Sequence, residues 1–192
     1  MNFTMAIDTK YDFFHAYHDR ATSKLMQGDY QGAIKDYKTA LKHKENSAFT
    51  FNNLGKAYMK ISDFQKATEN FTLAIKEDPN YIEAYLHRGN AKNNLEKYDE
   101  ALSDYRKAKE INSSSIKALN NIGIVFLKQS EYEKAIDAFN TVIEKDNKLG
   151  EAYLNRGLAW ENLGKFEEAC RDWKMAKELE VEKASEYLKD CE

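Results

Sequence analysis

Gly55, Gly89, Gly123 and Gly157 recur at steps of 34 residues, and that interval governs nearly the whole chain. Ala33, Ala67, Ala101, Ala135 and Ala169 keep the same step. So do two aromatic series: Tyr30, Phe64, Tyr98, Tyr132 and Phe166, and then Tyr37, Phe71, Tyr105, Phe139 and Trp173. Small and aromatic residues held in constant phase over such a period mark a stacked array of identical units rather than one closed globule. With a single proline and eight glycines in 192 residues, a loop-rich β fold is excluded, and a charged fraction of 32% suits long exposed helical faces.

Residues 48–81 show what one unit is. Phe51, Leu54, Gly55 and Tyr58 lie at i, i+3, i+4 and i+7 and define one helical face. A turn is expected near Ser62 and Asp63, with the aspartate capping a second helix. Phe64, Ala67, Phe71, Ala74 and Ile75 form the stripe of that helix, and Asp78-Pro79-Asn80 stops it. Glycine and alanine let the two helices approach closely, and both aromatic series are expected to fill the space between one hairpin and the next. No hairpin covers its own apolar stripe, so each needs a neighbour.

These residues resemble the tetratricopeptide repeat, whose pattern runs aromatic or leucine, Leu-Gly, aromatic, alanine, aromatic, alanine and proline. The match covers residues 14–183 as five repeats: 14–47, 48–81, 82–115, 116–149 and 150–183. The resemblance implies an all-α, right-handed superhelical solenoid forming a single domain. A capping helix follows at 184–192, with Ala184, Tyr187, Leu188 and Cys191 on one face. Residues 1–13 are expected to be a partly mobile lead-in. Repeat 1 departs most, with Arg20-Ala21 in place of Leu-Gly and Lys24 in place of the aromatic, as a terminal repeat facing water would. Arg88 and Arg156 stand before the glycine in repeats 3 and 5, where the pattern prefers an apolar residue.

The resemblance also implies a concave groove lined by the first helix of each repeat. The columns concerned are rich in amides, and the groove residues selected are Asn53, Lys56, Asn90, Asn121, Lys128 and Asn155, with Leu86 and Leu154 as apolar anchors. Asn53, His87, Asn121 and Asn155 are similar to the asparagine ladder of O-linked N-acetylglucosamine transferase, where amides bind an extended peptide backbone. An amide both donates and accepts, as such a backbone requires. The carboxylate clamp of chaperone-binding family members is absent as a motif: in repeats 1–3 the places that need cations hold His18, Glu83 and His87, and repeats 2–4 offer only a partial, rearranged set in which Lys56 and Lys117 could still attract a carboxylate.

Nothing suggests catalysis: there is no phosphate-binding glycine loop, no metal-ligand spacing of histidine and cysteine, and no nucleophile beside a base. No cofactor or metal is expected, since His15, His18 and Asp19 read best as a solvated helix face. A net charge of -3 argues against nucleic acid. No run is long enough for a membrane span, and no leader is visible, so the expected compartment is the cytoplasm, or an exported one if a signal peptide has been removed. Cys170 and Cys191 could pair, but two buried free thiols are the preferred reading. The functional expectation is a non-catalytic scaffold that holds a peptide or protein segment, monomeric. The alternative is a structural protein that self-associates through its ends or its convex face.

Overall fold

The computed structural model describes residues 13–43 and 46–191; of the expected lead-in only Phe13 falls within them, and Glu192 lies outside. Every regular element among the described residues is helical. The helices are α1 (Phe13–Met26), α2 (Tyr30–His43), α3 (Ala48–Lys60), α4 (Phe64–Glu77), α5 (Ile82–Asn94), α6 (Tyr98–Ile111), α7 (Ile116–Lys128), α8 (Tyr132–Lys145), α9 (Gly150–Asn162), α10 (Phe166–Glu178) and α11 (Ala184–Tyr187), closed by a 3-10 turn at Leu188–Asp190. They follow the 34-residue step, two per repeat. The chain divides into two compact units, one ending at Asp104 and the other beginning at Tyr105, so the division falls inside α6.

In the first unit α1 packs on α2, α2 on α3, α3 on α4 and α4 on α5. In the second, α7 packs on α8, α8 on α9, α9 on α10, and α10 on the short α11. Local chemistry explains the boundaries. Ser47, Asp63 and Ser115 each accept a hydrogen bond from the backbone N–H three residues on, satisfying a donor that a helix start leaves free. Asp63 is thus the expected cap, and α4 stops at Glu77, just ahead of Pro79. The turn inside each hairpin places Gly28, Ser62, Glu96, Ser130 and Gly164 at positive φ, again 34 residues apart. Glycine takes that conformation freely, whereas a side chain there costs about 1 kcal/mol.

The alanine column is fully buried, and so is the second aromatic series: Tyr37, Phe71, Tyr105 and Phe139 have no exposed surface and Trp173 has 2%. The first series behaves otherwise than expected. Tyr30, Phe64, Tyr98 and Tyr132 are only half-buried and Phe166 is 57% exposed, because these residues open the second helix and sit at its rim. Phe14, Tyr58 and Tyr85 on the first helices are buried as well, but of the two periodic series only the second supplies a buried aromatic in every repeat.

The glycine column is the seat of that aromatic. A Cβ at Gly55 would lie 2.6 Å from the Phe71 ring, at Gly123 2.7 Å from Phe139, and at Gly157 2.4 Å from Trp173. Alanine would add about 1 kcal/mol of helix propensity, but a buried ring has nowhere to retreat, and overpacking of this kind costs about 1–3 kcal/mol. Gly123→Ala is accordingly expected to lower the midpoint of urea unfolding. A raised midpoint would mean that the Phe139 ring has room to yield.

Candidate functional site

The first-helix columns that carry the expected groove residues fall in both units. In the first, Asn53 and Lys56 lie on α3, and Leu86 and Asn90 on α5; in the second, Asn121 and Lys128 lie on α7, and Leu154 and Asn155 on α9. Their accessibility differs sharply. Lys56 and Lys128 are exposed, and Asn90, Asn121 and Asn155 are half-exposed. Asn53, Leu86 and Leu154 retain 5%, 8% and 3% of their surface, so they have little to offer a ligand and act mainly in packing.

Neighbouring polar groups on the first helices are used by the fold itself. Buried Asn52 accepts a hydrogen bond from His87 Nδ1 at 3.0 Å, tying α3 to α5. One repeat earlier, buried His18 is 3.0 Å from the hydroxyl of fully buried Thr50, tying α1 to α3. His18 therefore lies inside the helix packing and not on the solvated face expected for it. Among the described residues no cluster of three or more His, Cys, Asp or Glu is placed to hold a metal ion.

Burial is the main cause that holds the His18 imidazole below its ordinary value; His15 adds to it and Asp19 opposes. An unfolded histidine takes up its proton near pH 6.5, whereas the folded chain refuses it until the pH is lower. Between these points the unfolded state binds more protons, so stability falls as the pH drops through that window. Unfolding midpoints at pH 7.5 and 5.0 are expected to differ in this direction. His18→Asn should shrink the difference, and an unchanged pH dependence in that variant would remove His18 as its source.

The least anticipated feature lies at the seam between first and second helices. Arg20 grips Asp36 through two bonds of 2.7 and 2.8 Å, Arg88 grips Asp104 at 3.0 and 2.6 Å, and Arg156 grips Asp172 at 2.7 and 2.6 Å. The three aspartates are 2%, 3% and 6% exposed. Each guanidinium also lies over a tyrosine three residues earlier, Tyr17, Tyr85 or Tyr153, at 5.2–5.6 Å. Lys24 and Lys92 add a second cation to Asp36 and Asp104, at 2.8 and 3.0 Å. Burial works to raise the Asp36 carboxyl, but hydrogen bonds from Arg20 and Lys24, with their charges, outweigh it and hold the group below the usual carboxylate range.

Arg20 and Lys24 are thus not a water-facing adaptation of a terminal repeat; they neutralise a buried carboxylate. Arg88 and Arg156 reach further still. Arg88 Nη1 donates to Thr72 Oγ1 at 3.2 Å and Arg156 Nη1 to Asn140 Oδ1 at 2.6 Å, each on the second helix of the preceding repeat. A fork of N–H donors that closes a carboxylate and also bonds the next hairpin fixes the register between repeats.

The arginines were visible in the sequence as departures, but their partners were missed. The signal was there: Arg and Asp stand sixteen residues apart in repeats 1, 3 and 5, while Leu54 with Asn70 and Ile122 with Ala138 take those places in repeats 2 and 4. The true period of the side-chain chemistry is two repeats.

A second constraint, weighed in the sequence but not preferred there, closes the C-terminal end. Cys170 on α10 and Cys191, beyond the 3-10 turn, form a disulfide with a Cα–Cα distance of 5.6 Å, which corrects the preference for free thiols. Short α11 brings Tyr187 onto Trp173, with ring centroids 5.1 Å apart and Val181 and Leu188 alongside, so the expected cap is one short turn of helix stapled in place.

The geometry defines a protein of tandem helical hairpins whose polar chemistry is spent on joining repeats. Models of the tetratricopeptide repeat match residues 50–81 and 80–148, and a TPR repeat model matches residues 25–62. The chain belongs to the tetratricopeptide repeat family. Among solved structures, a crystal structure of MamA is 32% identical, with a TM-score of 0.77 over 91% of this chain and 95% of that one. MamA from residue 41 to its end, from Desulfovibrio magneticus RS-1, is 20% identical, with a TM-score of 0.80 over 88% of this chain and 96% of that one. YrrB, described as a TPR protein with an unusual peptide-binding site, is also 20% identical, with a TM-score of 0.75 over 99% and 98% of the two chains. At 20% identity the last two speak for the fold alone. No curated protein sequence matches the chain at a significant level. Proteins built on this fold act generally as interaction scaffolds. Among the described residues no helix is long and apolar enough to cross a membrane.

Proposed function

We propose that the chain is a non-catalytic interaction module that takes an extended peptide segment on the polar surfaces of its first helices. The observation that carries this reading is the register of Asn121 on α7 and Asn155 on α9, half-exposed and in one column, with exposed Lys128 beside them. In the first unit Lys56 and Asn90 offer a like surface on α3 and α5. Amides in register pair with a peptide backbone and give affinity that tolerates sequence, while the lysines favour an acidic or C-terminal carboxylate. The Cys170–Cys191 disulfide supports an oxidising compartment over the cytoplasm. Selection of a phage-displayed linear peptide library tests the binding reading. The selected peptides are expected to lose at least tenfold in affinity to Asn121→Ala/Asn155→Ala or to Lys56→Ala/Asn90→Ala. Failure to enrich any peptide, or peptides indifferent to both variants, would remove the first-helix surface from the account.

A further inference from the structure

Two clefts of the second unit coincide residue for residue at the 34-residue step and differ in charge. The one at repeat 5, of about 420 Å³, is lined by Tyr153, Arg156, Trp160, Glu168 and Asp172 among others. It satisfies itself: Asp172 is held by Arg156 at 2.6 Å, and Glu168 lies 3.9 Å from Arg171. The one at repeat 4, of about 390 Å³, has Leu119, Ile122, Phe126, Lys134 and Ala138 at the corresponding places. Both carboxylate positions are lost, one to alanine and one to lysine, and both arginines go with them, Arg156 to Ile122 and Arg171 to Asp137, so the excess positive charge comes from the neighbouring helix.

The wall supplied by α6 then adds Arg106 and Lys109, whose counterparts at repeat 5 are Asn140 and Ile143. Neither Arg106 nor Lys109 has an ion pair among the described residues, and both are exposed. Lys134 lies 5.6 Å over the Phe126 ring and pairs with Glu131, and Asp137 is the one carboxylate lining the cleft. The result is an apolar floor of Leu119, Ile122 and Phe126 beneath a cationic rim, in a place where the sister repeat carries two acids one helical turn apart.

We infer that this cleft is a docking site for an acidic amphipathic helix of a partner protein, two of whose carboxylates, at i and i+4, pair with Arg106 and Lys109 on the rim, with a leucine between them on the apolar floor. Charge complementarity selects the acidic partner. The rim sets the spacing, because Arg106 and Lys109 are three residues apart on α6 and so lie one helical turn from each other. The floor supplies burial that a purely ionic contact on an exposed rim lacks. This site lies on the seam of α6, α7 and α8 and is independent of the amide surface proposed above.

The test uses a fluorescein-labelled, stapled twelve-residue helix with Glu at i and i+4 and Leu at i+3, beside the same helix with Gln for both Glu, read by fluorescence anisotropy at low salt. The Glu probe is expected to bind in the micromolar range, to weaken as salt is raised, and to exceed the Gln probe at least tenfold. Arg106→Ala/Lys109→Ala should weaken it at least tenfold. Ala138→Asp, which restores a carboxylate in the chain itself, should do the same with unchanged helical circular dichroism. Asn121→Ala/Asn155→Ala should leave it bound. Equal binding of the Glu and Gln probes, no binding up to 1 mM, or affinity indifferent to both cleft variants overturns the inference, as does loss of binding in the amide variant. Displacement of the probe by dodecanoate at lower concentration than by unlabelled peptide would assign the cleft to an amphiphile and overturn it too.

Discussion

Arg156→Ile is expected to cost about 3–5 kcal/mol, the range for stranding one partner of a buried ion pair. Asp172 is 6% exposed, and without Arg156 no other cation among the described residues reaches it. The carboxylate would then have to stay charged in an apolar seam or take up a proton. The donor to Asn140 is lost at the same time. The double variant Arg156→Ile/Asp172→Ala should recover most of this loss, because repeat 4 already carries Ile122, which is buried, and Ala138 at those places and leaves no charge stranded there. Asp172→Ala alone should cost less than Arg156→Ile, about 1–2 kcal/mol, since a guanidinium whose side chain is 19% exposed can still reach water. Urea unfolding followed by tryptophan fluorescence, which reports on Trp160 and Trp173 in the same unit, gives the full double-mutant cycle. Equal losses in the single and double variants would mean that the pair acts through its packing volume and not through its charge.

Removing the Cys170–Cys191 disulfide is expected to cost about 3 kcal/mol, the loop-closure entropy of cross-linking residues 21 apart. The loss should be local. In a stacked array each unit touches only its neighbours, so a freed end frays without unfolding the rest. In Cys191→Ser, or after reduction of the native chain, Val181, Tyr187 and Leu188 should leave the Trp173 face that they cover. Acrylamide quenching of tryptophan fluorescence should rise accordingly, with far-ultraviolet circular dichroism nearly unchanged. Quenching that does not respond to reductant would show that side-chain packing alone holds the segment.

The two predictions share a cause: this fold is a row of joints, and its strong polar interactions are concentrated at them. Most of the row was legible in the sequence. The glycine column could be read as a close helix crossing, but the rings of Phe71, Phe139 and Trp173 lie against the glycine of their own hairpin, where they were expected between one hairpin and the next. Asp63 could be read as a cap and the Asp78-Pro79 pair as a stop, because both act within one turn of chain. Tyr30 and its equivalents were misread. Periodicity reports that a position is constrained but not how deeply it is buried, and a residue opening a helix repeats as faithfully as one at its centre.

The candidate surface was less legible. Choosing Asn53, Leu86 and Leu154 by column assumed that one column has one exposure, yet these three are nearly covered while Asn121 and Asn155 are not. Side chains from adjacent hairpins decide this, and their reach varies from repeat to repeat.

By itself the sequence determined what recurs: the hairpin, its length, its caps and the buried face of each helix, all set by interactions within a few turns of the chain. Only the tertiary structure decided which polar groups meet. Arg20 and Asp36, Asn52 and His87, and Cys170 and Cys191 are joined by helices folding back on one another, and their pairing depends on where side chains end in space. A period is a property of the backbone path; a salt bridge is a property of two side-chain tips, and only packed coordinates bring those tips together.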